Sequence, residues 1–248
     1  MRLIRIALLT ATLAFVLIGS ARAQYELAWD KCPGSYGAVT NKMFACDDAA
    51  QPMVLVAAFT PQRSLPRFVG LTYELEVTGG NGDLPDWWKM GIGECREGAV
   101  STGINPGLTL GECSNPWLGS ITGGGSQWEG NYYGAGRARF QFAYAREKRT
   151  ALAAGTRYFG GTITIDPAAS SNCAGCNTEV CIAIRAISIA QEKDPNSRSQ
   201  DQDPDDEFII TNSTGTNVAS FNLRNAANAC GAKSRNKTWG QVKATYRR

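Results

Sequence analysis

Val69-Gly70-Leu71-Thr72-Tyr73-Glu74-Leu75-Glu76-Val77 is the stretch that decides the fold class. Leu71, Tyr73, Leu75 and Val77 alternate with Thr72, Glu74 and Glu76, and a period of two puts one set on each face of a half-buried strand. The same alternation returns over Arg139–Tyr144, where Phe140, Phe142 and Tyr144 oppose Arg139, Gln141 and Ala143. Tyr158–Ile165 reads as another strand. Val54–Phe59 and Val180–Ile189 are more continuously apolar and β-branched, the pattern of central strands covered on both faces. Phe208–Thr211 and Val218–Leu223 complete the set.

Between these runs lie clusters of Gly, Asn, Asp, Pro and Ser, at Thr78–Leu84, Thr122–Ser126 and Pro167–Asn172, which read as turns. No long amphipathic helix interrupts the strands, so crossover connections of a parallel sheet are missing. The expectation is an all-β antiparallel sandwich, jelly-roll or immunoglobulin-like, forming a single domain over 24–248. One short C-terminal helix is expected, with Thr238 and Gln241 as a capping box and Trp239, Val242 and Tyr246 on one face.

The chain opens as a secretory signal over 1–23: Arg2 and Arg5 are basic, Ile6–Ile18 is apolar, and Ala21-Arg22-Ala23 offers a small-x-small cleavage site before Gln24. The apolar run falls short of the ~20 residues that a spanning helix needs, so no membrane insertion is expected after cleavage. Removing Arg2, Arg5 and Arg22 from 25 basic residues leaves 22 against 22 acids. A neutral chain without a dense Lys/Arg run lacks the charge that nucleic-acid binding requires. The expected location is extracellular or periplasmic.

In that setting the eight cysteines, Cys32, Cys46, Cys95, Cys113, Cys173, Cys176, Cys181 and Cys230, are expected to pair as disulfides. Proximity along the chain favours Cys32 with Cys46 and Cys95 with Cys113; the last four then pair among themselves, and of their three possible pairings, which the sequence leaves open, Cys173 with Cys181 and Cys176 with Cys230 is the one expected. A zinc knuckle or a redox pair at Cys173-Ala174-Gly175-Cys176 is the alternative. Zinc needs four reduced thiolates, and a redox pair normally opens a helix, whereas this motif precedes a strand.

The chain has no histidine, which excludes Ser-His-Asp and Cys-His nucleophiles and histidine metal sites. Gly123-Gly124-Gly125 precedes no helix that would hold a phosphate and reads as a turn. Two chemistries stay open. Asp83, Asp86, Glu94, Glu97, Glu112 and Glu129 lie near Trp87, Trp88, Trp117 and Trp128, so a glycosidase with paired carboxylates is one reading. The other is a non-enzymatic binding or structural module in which Trp87, Trp88, Tyr132 and Tyr133 form an aromatic platform for carbohydrate or dock another cell-surface protein. The acidic stretch Gln191–Glu207 reads as an exposed loop whose Asp201, Asp203 and Asp205 are candidates for calcium, although the glycine and terminal glutamate of an EF-hand loop are missing. Asn212 and Asn236 satisfy the N-glycosylation rule.

Trp29-Asp30-Lys31-Cys32, Asn41-Lys42-Met43-Phe44-Ala45-Cys46, Cys173-Ala174-Gly175-Cys176 and the closing Asn236–Arg247, with its Thr238-Trp239-Gly240-Gln241 core, give the chain a further character. In these motifs it resembles uncharacterised exported proteins of environmental bacteria. The resemblance implies a bacterial periplasmic or extracellular setting and carries over no catalytic residue. The binding or structural module is the preferred expectation.

Overall fold

The computed structural model describes residues 24–44, 51–80, 82–119, 123–169, 172–192, 208–210 and 218–222. The leader, the acidic triad at Asp201, Asp203 and Asp205, Cys46, Cys230, both glycosylation sites and the expected C-terminal helix lie outside these residues. In chain order the strands are β1 (Gln24–Trp29), β2 (Asn41–Lys42), β3 (Met53–Thr60), β4 (Leu65–Gly79), β5 (Val100–Gly103), β6 (Gly123–Glu129), β7 (Arg137–Leu152), β8 (Tyr158–Ile165), β9 (Val180–Gln191), β10 (Phe208–Ile210) and β11 (Val218–Phe221). They form an all-β sandwich. One sheet has the order β1-β3-β8-β5 and the other β2-β11-β9-β4-β7-β6, with β10 paired to β9 beside that path. Named strands pair antiparallel except β11 with β2, and neither sheet closes into a barrel.

The alternation at 69–77 is the middle of β4, which pairs with β7 on one edge and β9 on the other. Leu71, Tyr73, Leu75 and Val77 face the smaller sheet together with Phe140 and Phe142 of β7 and Ile182, Ile184, Ile187 and Ile189 of β9. Tyr73 and Phe142 stand directly opposite and stack with ring centroids 4.9 Å apart, a geometry worth about 1 kcal/mol beyond area burial. On the smaller sheet β3 and β8 are buried along nearly their whole length, as the continuous apolar run of β3 anticipates. Trp29 of β1 joins the layers by donating its indole N–H to the carbonyl of Ser220 on β11 at 2.8 Å.

Two departures from the sequence reading have physical causes. Gly123–Ser126 is the start of edge strand β6 and not a turn. The Tyr144 ring covers Gly124, and a Cβ there would lie 1.9 Å from the Tyr144 ring, so β7 supplies by an aromatic side chain what the glycine lacks.

The disulfides depart more. Cys32 bonds Cys113 and Cys95 bonds Cys173, across separations of 81 and 78 residues, so the expected Cys32–Cys46, Cys95–Cys113 and Cys173–Cys181 pairs are incorrect. Cys176 and Cys181 are also disulfide-bonded. Local pairing fails because sheet order overrides chain proximity. The end of β1 is held against the 107–113 loop, where the Cys32 N–H donates to the Thr109 carbonyl at 2.8 Å, and Ser114 bridges to Tyr158 of β8.

The second bridge sits beside Arg96, a fully buried cation that ties the same loops together. Its guanidinium lies 3.7 Å over the Trp87 ring and donates to the carbonyls of Ala169, Trp87 and Asp166. Burial lowers it to about 10, so it remains charged at neutral pH.

Each long bridge removes roughly 4.5 kcal/mol of unfolded-chain entropy in the simple loop model. Peptide mapping without reduction is expected to recover Cys32–Cys113 and Cys95–Cys173 crosslinks, and recovery of Cys32–Cys46 would contradict the fold. A second prediction concerns Tyr73, whose buried hydroxyl has no hydrogen-bond partner and is accommodated because residue 160 is glycine. Burial, then the charge of Glu26, raises its ionisation well above the ordinary range. The folded state therefore keeps a proton that the unfolded chain releases near pH 10, and stability falls above that pH by about 1.4 kcal/mol per unit for this group. Tyr73→Phe should match or exceed the wild type at pH 7, by up to about 1 kcal/mol, and should flatten the alkaline decline in urea unfolding.

Candidate functional site

The larger sheet turns a second face away from the core, and its side chains follow from strand register. Gly123, Ala145, Gly70 and Ala190 form one row across β6, β7, β4 and β9, and Gly125, Ala143, Thr72 and Ser188 form the next. Eight outward positions in two adjacent rows thus carry side chains no larger than threonine. The result is an open trough of about 670 Å³ that these residues line together with Val69, Leu71, Gly124, Tyr144 and Arg146.

The following rows are polar. Gln127, Gln141 and Glu74 come next, then Glu129, Arg139 and Glu76. Glu76 is only 2 % exposed and pairs with both Arg137 and Arg185. Arg185 reaches it through a bulge: Glu74 pairs with Ala186 and Leu75 with Ile184, so Arg185 is the extra residue of β9, and bulges re-aim side chains in this way. Arg139 bridges to Glu129 at 2.8 Å, and Gln127 donates to Glu129 at 2.6 Å.

Tyr132 and Tyr133, from the β6–β7 connection, stand over this polar end. Tyr133 donates its hydroxyl to Glu74. Burial, reinforced by the Glu74 charge, holds its ionisation far above the ordinary tyrosine range, so it stays a donor. Tyr132 is 42 % exposed, with the Arg139 guanidinium 3.9 Å from its ring centroid and the Tyr133 ring edge-on at 4.9 Å.

The expected platform is therefore split. Trp87 and Trp88 are 4 % and 1 % exposed and pack on Phe221 inside the sandwich, so they are core residues and not a sugar-stacking surface. Trp117 is buried too and donates its indole N–H to the Phe159 carbonyl. Tyr132 and Tyr133 lie with Glu74 on the opposite side of the larger sheet.

Among the acids proposed for glycosidase chemistry, Asp83, Asp86 and Glu94 share the surroundings of Lys89. Asp86 pairs with Lys89, Glu94 and Glu97 accept the backbone N–H groups of Gly91 and Gly93, and Glu129 pairs with Arg139. Among the described contacts none joins two of these six carboxylates. Among the described residues no group of three His, Cys, Asp or Glu is placed to hold a metal ion, and the calcium candidates Asp201, Asp203 and Asp205 fall outside them.

Sequence reasoning missed the trough and its charged wall. Glu74, Glu76, Arg139 and Gln141 read as an ordinary solvated face because register, which brings them together, is not encoded locally. The available signal was the reverse one: outward strand positions at Gly70, Thr72, Ala143 and Ala145 carry small residues where larger ones are the rule.

Compared with known proteins, the chain matches no family model and no curated protein.

The Glu76 cluster is predicted to hold the wall in shape. Glu76→Gln leaves two arginines facing a neutral amide, and the loss should be about 2 kcal/mol, below the ~3–5 of a fully enclosed pair because both arginines reach solvent. Chemical denaturation checks this, and an unchanged midpoint would show that the pairs contribute nothing.

Proposed function

We propose that this protein is an exported, disulfide-stapled β-sandwich that binds carbohydrate on the outer face of its larger sheet. The observation that carries the reading is the trough itself. Along the same outer face its small-residue floor is followed by rows of carboxylates, amides and guanidinium groups, beside the half-exposed Tyr132 ring. Sugars present hydroxyl groups in many directions and apolar C–H faces, so they suit a shallow site with convergent donors and acceptors beside an aromatic ring.

The wall is preorganised. Glu76 is locked by Arg137 and Arg185, Glu129 by Arg139 and Gln127, and Tyr133 by Glu74. Groups already held in place lose less freedom when a ligand arrives. Two disulfides, and the absence among the described residues of a helix long and apolar enough to cross a membrane, are compatible with an extracellular or periplasmic location. The leader-like start and the resemblance to exported bacterial proteins point the same way.

A second reading, docking to another surface protein, is favoured by the exposed side chains of Tyr36 and Leu108. They stand on loops joined by the Cys32–Cys113 bridge and by the Lys31 ammonium donating to the Leu108 carbonyl.

Glycan-array screening followed by calorimetry tests the first reading. Thr72→Trp fills the trough from an outward position flanked by Ala143 and Ser188, so it should leave melting unchanged and weaken glycan binding at least tenfold, about 1.4 kcal/mol. Undiminished binding by Thr72→Trp, with loss in Tyr36→Ala/Leu108→Ala, would move the site to the loops.

A further inference from the structure

The trough has a long axis. Its two floor rows, from Gly123 to Ala190 and from Gly125 to Ser188, span four strands but only one two-residue step along each. At ordinary sheet spacings the floor measures about 14 Å across the strands and about 7 Å along them. The Gln127–Gln141–Glu74 row borders one long side. The β6 end has no wall: residues 123–127 are exposed, and a Cβ added at Gly123 or Gly125 would meet no atom within 4 Å. Position 125 has no need of glycine for folding, since its backbone is outside the left-handed region and its surroundings are open. A glycine inside a strand weakens it and often marks a place where a ligand or another chain comes close.

We propose that the trough holds a neutral, linear polysaccharide in mid-chain, lying across β9, β4, β7 and β6 and running out over the β6 edge. The inference rests on the carbohydrate-binding reading above and names the class of glycan. At roughly one sugar ring per strand spacing of ~4.8 Å, the floor accommodates about three consecutive rings. A site for a terminal sugar closes around one ring, whereas this floor is elongated and open at its edge strand. Over most of the floor no side chain extends past Cβ, so the flat face of each ring reaches van der Waals contact with the sheet itself. The floor rows contain no charged residue. In the rows beyond, Glu74 accepts the Tyr133 hydroxyl, Glu129 pairs with Arg139, and Glu76 with Arg137 and Arg185. Arg146 is held by the Pro116 and Leu118 carbonyls on either side of Trp117. A charged glycan would lose hydration on this floor with no counter-charge to meet it. Uncharged hydroxyls instead find the Thr72 and Ser188 hydroxyls in the floor and the Gln127 and Gln141 amides beside it.

The test uses the mature chain and calorimetry. The probes are β-1,4-linked gluco-, manno- and xylo-oligosaccharides from disaccharide to hexasaccharide, with polygalacturonate as the charged comparator. In at least one neutral series, affinity should rise at least tenfold from disaccharide to tetrasaccharide, then level off, and should not depend on salt. Borohydride reduction of the hexasaccharide's end should leave its binding unchanged. Gly125→Val should melt at or above the wild-type temperature and bind the hexasaccharide at least tenfold more weakly. Gly125→Ala adds a single methyl group and should fall between, which guards against a strand defect in the valine variant. A disaccharide that binds as tightly as the hexasaccharide, loss of binding on end reduction, preference for polygalacturonate, or undiminished binding by Gly125→Val overturns this assignment. Each leaves the carbohydrate-binding reading intact if Thr72→Trp still blocks binding. Failure of every glycan to bind overturns both.

Discussion

The hydrogen-bonded register that holds β4 between β7 and β9 sends Leu71, Tyr73, Leu75 and Val77 toward the smaller sheet and Thr72, Glu74 and Glu76 away from it. A slip of one residue would exchange these sets and bury two carboxylates in the core, so the apolar face protects the register against slippage. The outer face is correlated with the inner one. Because Tyr73 must meet Phe142, Glu74 must meet Gln141; because Leu75 meets Phe140, Glu76 meets Arg139. The same pairings line up the small residues two rows away. Core packing thus determines the trough, although none of the trough's outward floor residues belongs to the core.

Strand identity was legible because burial writes a period of two into β4 and β7 and an apolar run into β3 and β9. β1 escaped notice although Tyr25, Leu27 and Trp29 alternate along it, because it directly follows the expected leader; the other strands missed have little apolar content to repeat. β5 has four residues and β2 two, while β6 opens on three glycines whose partner, not their own propensity, makes them extended. Long-range pairing was hidden more completely. The cysteines nearest in sequence are the entropically cheapest to join, yet the native partners are set by which loops the two sheets bring together at their ends. The tryptophans were misplaced for a related reason: Trp87 and Trp88 occupy a polar, turn-rich segment that reads as surface, and long-range contacts, among them Arg96, the Cys95–Cys173 bridge and the Trp87 N–H on the Ala174 carbonyl, hold that segment over the core edge.

At the polar end of the trough, three carboxylates and three guanidinium groups sit within two pairs of adjacent strands and one loop, and their charges cancel. Such a wall resists collapse without attracting ions strongly, since each formal charge already has a partner.

The long-range bridges also bear on how the molecule is made. During synthesis Cys46 follows Cys32 long before Cys113 does, and Cys113 follows Cys95 before Cys173 does. Short loops close first, so early oxidation yields crosslinks that the finished sheets cannot contain. Any such bond has to be reopened by a thiolate before the native partners can join. Wherever such short crosslinks form first, their exchange sets the pace at which the native bridges appear, a constraint on how the fold is reached and not on how stable it is once reached.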